Sequence, residues 1–398
     1  MTFDPVTATA GYIDSLGEEA LLRAAAYTAG SQWLILWGLL VSVLVCWGVL
    51  RSGLLATIDR RLAARGRGVR DVLIASSYAL MASAISLPWT LYEGWHREIA
   101  YGRSSQSLQD YLWQWLVGAL VSALLTGLFF GAVYALVRRA GKRWWIWSGG
   151  LTAIAACTLL VLGPIVIEPL FNRFEPLPKG EVRDALEVLA RQSGVREDRI
   201  YVYDGSRQSN NFTANVSGIG GTARIAISDV ALKGASLDEV KAVTGHEIGH
   251  YVIGQIWRMV GLAAVLAMLV FWAADRVFDR VARVFGCVAT IDNPVSLPVL
   301  VFVAGLMTQL CQPVMNALVR SGETAADRYS LEIVGLPDAL ATALLKTAEY
   351  RDPRPHPLQE ILFYSHPSVE RRIEAAMRWK ADAIAPGASR AHDHSPTR

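Results

Sequence analysis

Six stretches of this chain, at 31–50, 71–93, 111–137, 145–168, 252–274 and 296–319, stay apolar over the length a helix needs to cross a bilayer. In hydrocarbon every main-chain donor and acceptor must be met within the segment, so such stretches fold as helices. The fold class this predicts is mainly α: a polytopic membrane protein. Composition agrees, since 53% of the 398 residues are hydrophobic, 18% are charged, and the mean hydropathy is +0.30. A net charge of +3 implies no nucleic-acid partner. Cys46, Cys157, Cys287 and Cys311 lie in or beside apolar segments without C-x-x-C spacing, which argues against a disulfide framework or a cysteine zinc site. Residues 1–30 lack the basic stretch of a cleavable signal, so the first span is expected to direct insertion.

Two spans carry further information. The fourth holds Gly149-Gly150 and Gly163-Pro164, read as a kink or close packing rather than a break. The sixth carries Gln309, Gln312, Pro313 and Asn316. Amides are costly at membrane depth, so this helix either faces other helices or a wet cavity, or uses its amides to bind its neighbours.

A polar stretch, 172–250, lies between spans four and five. Glu181 to Gln192 has helical periodicity, with Val182, Leu186, Val188 and Leu189 on one face. Arg199–Tyr203 and Arg224–Ser228 read as strands, and Gly205–Asn211 as a loop. A helix then begins at Leu237, with Ser236 as N-cap and Glu239 completing a capping box. That helix carries His246-Glu247-Ile248-Gly249-His250. Histidines four apart share a helix face and can hold one zinc ion, and Glu247 beside them is placed as general base for a zinc-activated water. The alternative is a pair of surface histidines on an ordinary helix. Residues 320–382 read as helical and polar, and 383–398 as a disordered tail. His392 and His394 in that tail are set aside, and His96 is read as structural.

Several separated pieces resemble the type I CAAX prenyl endopeptidases, integral-membrane zinc metalloproteases that process prenylated proteins. They are Leu87-Pro88-Trp89-Thr90-Leu91-Tyr92 with Tyr101-Gly102 and Gln106, then 169–177, Arg320-Ser321-Gly322-Glu323-Thr324-Ala325-Ala326-Asp327, and Ser365-His366-Pro367 with Arg372. They keep the family's order. The resemblance implies seven spans, of which the first would be missing here. It also implies Glu323 as the third zinc ligand, which fits the need for three protein ligands and one open position; a solvated carboxylate at a helix end is the alternative. Asp327 lies one turn beyond and can accept a ring N–H from a ligand histidine, or pair with Arg320 or Arg328. His366 resembles the family histidine thought to stabilise the oxyanion, with Arg372 nearby. Ala214, Asn215 and Val216 align with an edge strand that pairs with substrate. Thr213 stands where the family has Asn, a departure that puts side-chain specificity there in question.

The expected organisation is a membrane region over 1–171 with about four spans, a metallopeptidase region split between 172–251 and 320–382, and two more spans over 252–319. Basic residues cluster after span one (Arg60, Arg61, Arg65, Arg67), span three (Arg138, Arg139, Lys142, Arg143) and span five (Arg276, Arg280, Arg283). Positive-inside reasoning places these connections in the cytoplasm of a bacterial-type plasma membrane and turns the polar regions outward, whereas the resemblance implies a cytosol-facing site. The function expected is zinc metalloendopeptidase, acting on a peptide or protein that can be lipidated, amid membrane lipids. The rivals are a quality-control protease of the heat-shock type and a non-catalytic membrane protein that binds lipid or peptide. An intact Glu247 argues against the latter.

Overall fold

The computed structural model describes residues 3–347 and 351–384. His392, His394 and the expected disordered tail from residue 385 onward lie outside the described residues. Apolar composition sets the frame. A short helix α1 (Pro5–Asp14) precedes α2 (Glu18–Ser52), α3 (Leu54–Arg61), α4 (Arg67–Leu91), α5 (Arg97–Ala100), α6 (Leu108–Ala140) and α7 (Trp144–Leu162). Among the described residues, five helical runs are long and apolar enough to cross a membrane; the third, Leu108–Leu170, contains both α6 and α7, joined through Gly141–Arg143. The packed face of these helices forms one core that includes Ile74, Val133, Trp144, Phe278 and Leu297. Leu120, Leu124 and Leu128, spaced by one turn on α6, are exposed, as a lipid-facing stripe requires. Gly149 sits against Ala264 and Met268 where a side chain would collide, and Gly163–Ile167 forms a π-helical turn, so α7 shows both close packing and a local irregularity.

After α7 the chain builds β1 (Phe174–Pro176), α8 (Glu181–Gln192), β2 (Ile200–Tyr203), β3 (Ala214–Ser217), β4 (Arg224–Ser228), α9 (Asp229–Gly234) and α10 (Leu237–Val252). The sheet order is β1-β2-β4-β3, with β2 parallel to β4 and the outer strands antiparallel. Leu186, Leu189, Ile200, Ile225, Ile227 and Ile248 close a core between this sheet, α8 and α10. Val188 is an exception to the face read from sequence: it is exposed, because Leu186, Leu189 and Ala190 already fill the buried stripe of α8.

Helix α11 (Gln255–Phe285) re-enters the membrane region and packs on α7; α12 (Leu297–Val334) follows, then α13 (Pro337–Thr347), α14 (Pro357–Phe363) and α15 (Val369–Ile384). The sixth apolar segment and the start of the polar region after it, to Val334, are thus one unbroken 38-residue helix, α12. Its amides are used: Gln312 donates to Asn316 at 3.0 Å, and Asn316 donates to the Leu362 carbonyl at 3.1 Å. Helix α1 packs against α13 and α15, with Ile13, Leu344, Ile373 and Met377 in a third core. Helix α1 therefore sits with the helices that follow α12.

Candidate metal centre

Helix α10 starts where its cap dictates. The Ser236 hydroxyl accepts from the Glu239 N–H at 3.2 Å, and the Glu239 carboxylate accepts from the Ser236 N–H at 2.7 Å. Lys346 adds a 2.7 Å contact to the same carboxylate. Two turns on, His246 and His250 project from one face, their Nε2 atoms 3.1 Å apart.

Glu323 reaches them because α10 and α12 cross tightly. A Cβ at Gly249 would lie 3.1 Å from Ala326 Cα and 3.2 Å from its carbonyl, and one at Gly245 would lie 2.7 Å from Val334. The Ser330 hydroxyl donates to the Ala242 carbonyl at 2.6 Å across the same crossing. The Glu323 carboxylate then stands 3.3 Å from Nε2 of both histidines, and its side chain is 7% exposed, well inside the helix rather than solvated at an end. Among the described residues, His246, His250 and Glu323 form a group whose ligand atoms lie within 4.8 Å of one another.

The surroundings fix which atoms face inward. His246 Nδ1 is 2.8 Å from Asp327 Oδ1, and His250 Nδ1 meets Gln255 Oε1. With the outer nitrogens facing acceptors, the neutral tautomer protonated at Nδ1 is the one favoured in each ring, and in it both Nε2 lone pairs point toward one spot. Glu323 adds more acceptor atoms there, and its Oε2 is buried without a hydrogen-bond partner. Four converging acceptors with an orphaned oxygen suit a cation, and two nitrogens with one carboxylate are the donor set of a borderline-soft metal ion. Taken by themselves, these side chains offset burial on His246: burial pushes its pKa down, and Asp327 and Glu323 outweigh that and lift it to about 9.

Asp327 pairs neither with Arg320, which binds the carbonyls of Glu360 and Tyr364, nor with Arg328, which pairs with Glu332. Its partner is Arg372, which donates Nε and Nη2 to the two carboxylate oxygens at 2.7 and 2.6 Å. His366 Nε2 stands 3.3 Å from Glu323 Oε1, and its Nδ1 is 2.9 Å from the Ser365 hydroxyl. Burial holds its pKa down at about 4. Burial likewise raises the Glu247 carboxyl, ahead of the opposing pull of the two histidines.

A cavity of about 260 Å³ opens over this centre, and Ala214, His246, Glu247, Glu323, His366 and Arg372 line it. Asn215 and Val216 lie on β3 beyond the lining. Strand β3 is the sheet's outer strand. Ser228 N–H donates to the Thr213 carbonyl, so by the alternation of an antiparallel ladder Asn215 turns its main chain to β4, and Ala214 and Val216 turn theirs to the free edge. His96 stacks on Tyr92 with ring centroids 6.1 Å apart, away from the centre. Gln255 was not singled out from sequence, and Ser365 entered only as part of the Ser-His-Pro motif, without a role of its own. The signal for Gln255 was Gly254, whose φ of 65° reverses the chain directly after the histidine helix.

Similarity to known proteins adds to this geometry. A family model described as peptidase family M48 matches residues 176–380, and one described as CAAX prenyl protease N-terminal, five membrane helices, matches residues 8–173. That second stretch here carries four long apolar helices among the described residues, α2, α4, α6 and α7. CAAX prenyl protease 1 of Saccharomyces cerevisiae is 26% identical over 365 residues, covering 85% of this chain and 77% of that protein. The uncharacterized metalloprotease YhfN of Bacillus subtilis is 27% identical over 305 residues, covering 75% and 71%. The crystal structure of Ste24p from S. mikatae shares the fold with a TM-score of 0.74 at 20% identity, over 92% of this chain and 90% of that one. Matches that continue from residue 8 to residue 380 on a common helical frame leave one assignment: the chain belongs to peptidase family M48, as a multi-pass membrane metalloprotease.

Proposed function

We propose that the chain hydrolyses peptide bonds at a zinc centre held by His246, His250 and Glu323, with Glu247 as general base. The convergence of two imidazole lone pairs and a carboxylate with an orphaned oxygen carries this reading. A zinc ion held there supplies Lewis acidity and lowers the pKa of water toward neutrality. Glu247, whose carboxyl burial raises above its usual range, is a better proton acceptor than an ordinary carboxylate. An extended peptide pairs with the free edge of β3 through the main chains of Ala214 and Val216. Asn215 contributes through its side chain, since its backbone is committed to β4. In the tautomer whose Nδ1 accepts from Ser365, His366 Nε2 carries the proton, faces Glu323 and serves as the donor to the developing oxyanion. Arg372 adds positive charge beside the site and acts chiefly by holding Asp327, which in turn orients His246.

The relatives named CAAX prenyl protease make a prenylated CAAX peptide the first substrate class to test. Residues 172–251 and 320–382 work as one catalytic unit, interrupted by α11 and the membrane part of α12. Positive-inside placement of Arg60, Arg61, Arg65, Arg138, Arg139 and Arg280 turns this unit outward from the cytoplasm of a bacterial-type plasma membrane. The packing of α1 on α15 supports an even number of crossings between them and the sheet region, and α2, α4, α6 and α7 supply four.

The test is metal analysis together with cleavage of prenylated and unmodified peptides by wild type and Glu247→Gln. The variant is expected to keep its zinc and lose cleavage by about 10²- to 10⁴-fold. Full activity without the carboxylate overturns the mechanism.

A further inference from the structure

Three cavities adjoin. The cavity over the metal centre shares Arg351 with a smaller one of about 200 Å³, and this shares Ser31 and Ile35 with a cavity of about 540 Å³ among α2, α4 and α12. The largest is graded along its helices. Val45, Val301 and Phe302 line its deep end, whereas Ser31, Glu93 and Gln309 stand toward the catalytic region. The small cavity is the neck between them, walled by α2 on one side and by Tyr364 and Ser365 on the other. Ser365 leads directly into His366 at the centre.

The polar side chains that α2 sends into this neck are occupied with one exception. Thr28 accepts from the Asp352 N–H at 2.8 Å. Ser31 donates to the Tyr27 carbonyl at 2.9 Å and accepts from Arg97 at 2.8 Å. Gln32 Nε2 is buried and has no hydrogen-bond partner among the described residues. An amide donor on an apolar helix costs free energy unless a ligand or neighbour meets it.

We propose that Gln32 is a specificity residue of the hydrolysis: its Nε2 donates to a main-chain carbonyl of a peptide threading the neck. A peptide offers such an acceptor at every residue, and the graded cavity beyond fits one whose leading half is apolar. Held at the β3 edge and at Gln32, the chain has a fixed register between the apolar cavity and the scissile bond. This rests on the peptidase reading of the centre, and the test separates the two.

The probe is a fluorescein-labelled, unlipidated peptide with a polar half and an apolar half, titrated into the full chain carrying Glu247→Gln so that binding is read without turnover. Adding Gln32→Leu is expected to weaken Kd by about three- to tenfold, the value of one neutral hydrogen bond. Gln32→Glu keeps the size, lacks the donor, and is expected to weaken it at least as much. Shortening the peptide from its apolar end removes the difference between Gln32 and its variants; shortening from the polar end preserves it. No binding by the parent, an unchanged Kd in both variants, or a loss that survives every truncation overturns the proposal. Cleavage with Glu247 restored is a separate readout. If binding depends on Gln32 while no peptide is cut, the peptidase reading fails and the neck contact stands.

Discussion

Asp327 links two jobs that a double variant can separate. Its carboxylate accepts from Arg372 at 2.6 and 2.7 Å and from His246 Nδ1 at 2.8 Å, with the Asp327 and Arg372 side chains only 7% and 11% exposed. Asp327→Asn keeps the shape and removes the charge. The buried guanidinium then loses its bidentate partner and keeps only Glu323 at 3.8 Å, and breaking such a pair costs up to about 3–5 kcal/mol. The ring of His246 also loses a charged acceptor, and such outer partners are worth about 10- to 100-fold in metal affinity. The double variant Asp327→Leu with Arg372→Met removes both charges and fills similar volume, so it is expected to recover most of the stability. It is not expected to recover metal affinity, because His246 still lacks its acceptor. Denaturant unfolding of the chelator-treated protein in detergent reads the first quantity, and competition with a chromophoric zinc chelator reads the second. A loss below about 1 kcal/mol in Asp327→Asn, or a double variant no more stable than the single one, refutes the argument that the pair is held by mutual charge.

Gly249→Ala inserts a methyl 3.1 Å from Ala326 Cα. Overpacking by about 1–3 kcal/mol exceeds the gain in helix propensity of about 1 kcal/mol, so thermal stability and zinc affinity should both fall. Gly150→Ala on α7 meets open space and should not show that loss; equal behaviour of the two variants refutes the close crossing. Burial raises the Glu239 carboxyl, but Lys346 and the Ser236 N–H outweigh it and hold the pKa below its usual 4.5. A depressed carboxyl contributes stability above its unfolded pKa and loses it as pH falls through the folded one. The difference in Tm between wild type and Glu239→Gln should therefore be constant from neutral pH to about 5 and shrink below it; a difference that grows on acidification contradicts the capping contact. With the native cysteines replaced, a membrane-impermeant maleimide should label Lys179→Cys beside the catalytic sheet in intact cells and Lys142→Cys only after permeabilisation, and the reverse pattern removes the outward orientation. Both positions are exposed, whereas Ser368, close to the centre, is buried.

Features set by neighbours in sequence were legible before the fold. The capping box at Ser236 and Glu239, the strands at 200–203 and 224–228, and the shared face of His246 and His250 all depend on contacts within one or two turns. The return of Glu323 to that face needed the family resemblance, since nothing local relates it to residues about 75 positions earlier. Arg372 and Asp327, 45 positions apart, could be named but not paired, because either arginine near Asp327 on its own helix was an equally good partner by spacing. Gln32 gave no signal, Gln255 only the glycine before it, and Ser365 only its place beside His366 in the family motif. Each has a role only through a cavity or a crossing that three or more elements build together. The end of the sixth span was misleading in a different way: polarity changes near residue 319, and the helix does not.

That continuity of α12 ties Glu323, a proposed metal ligand, to the membrane part of the same helix. Glu323 lies roughly 24 Å along the helix from Met307, at 1.5 Å per residue. A change in tilt of about 2° at that depth displaces its carboxylate by about 1 Å, more than a metal ligand tolerates. Helices relieve mismatch with hydrocarbon thickness chiefly by tilting. The two histidines of the proposed ligand set are carried by α10, which stands outside the spans, so acyl-chain length enters first through Glu323. Zinc retention in vesicles should pass through a maximum as chain length is varied, and membrane thickness becomes a variable of the coordination sphere.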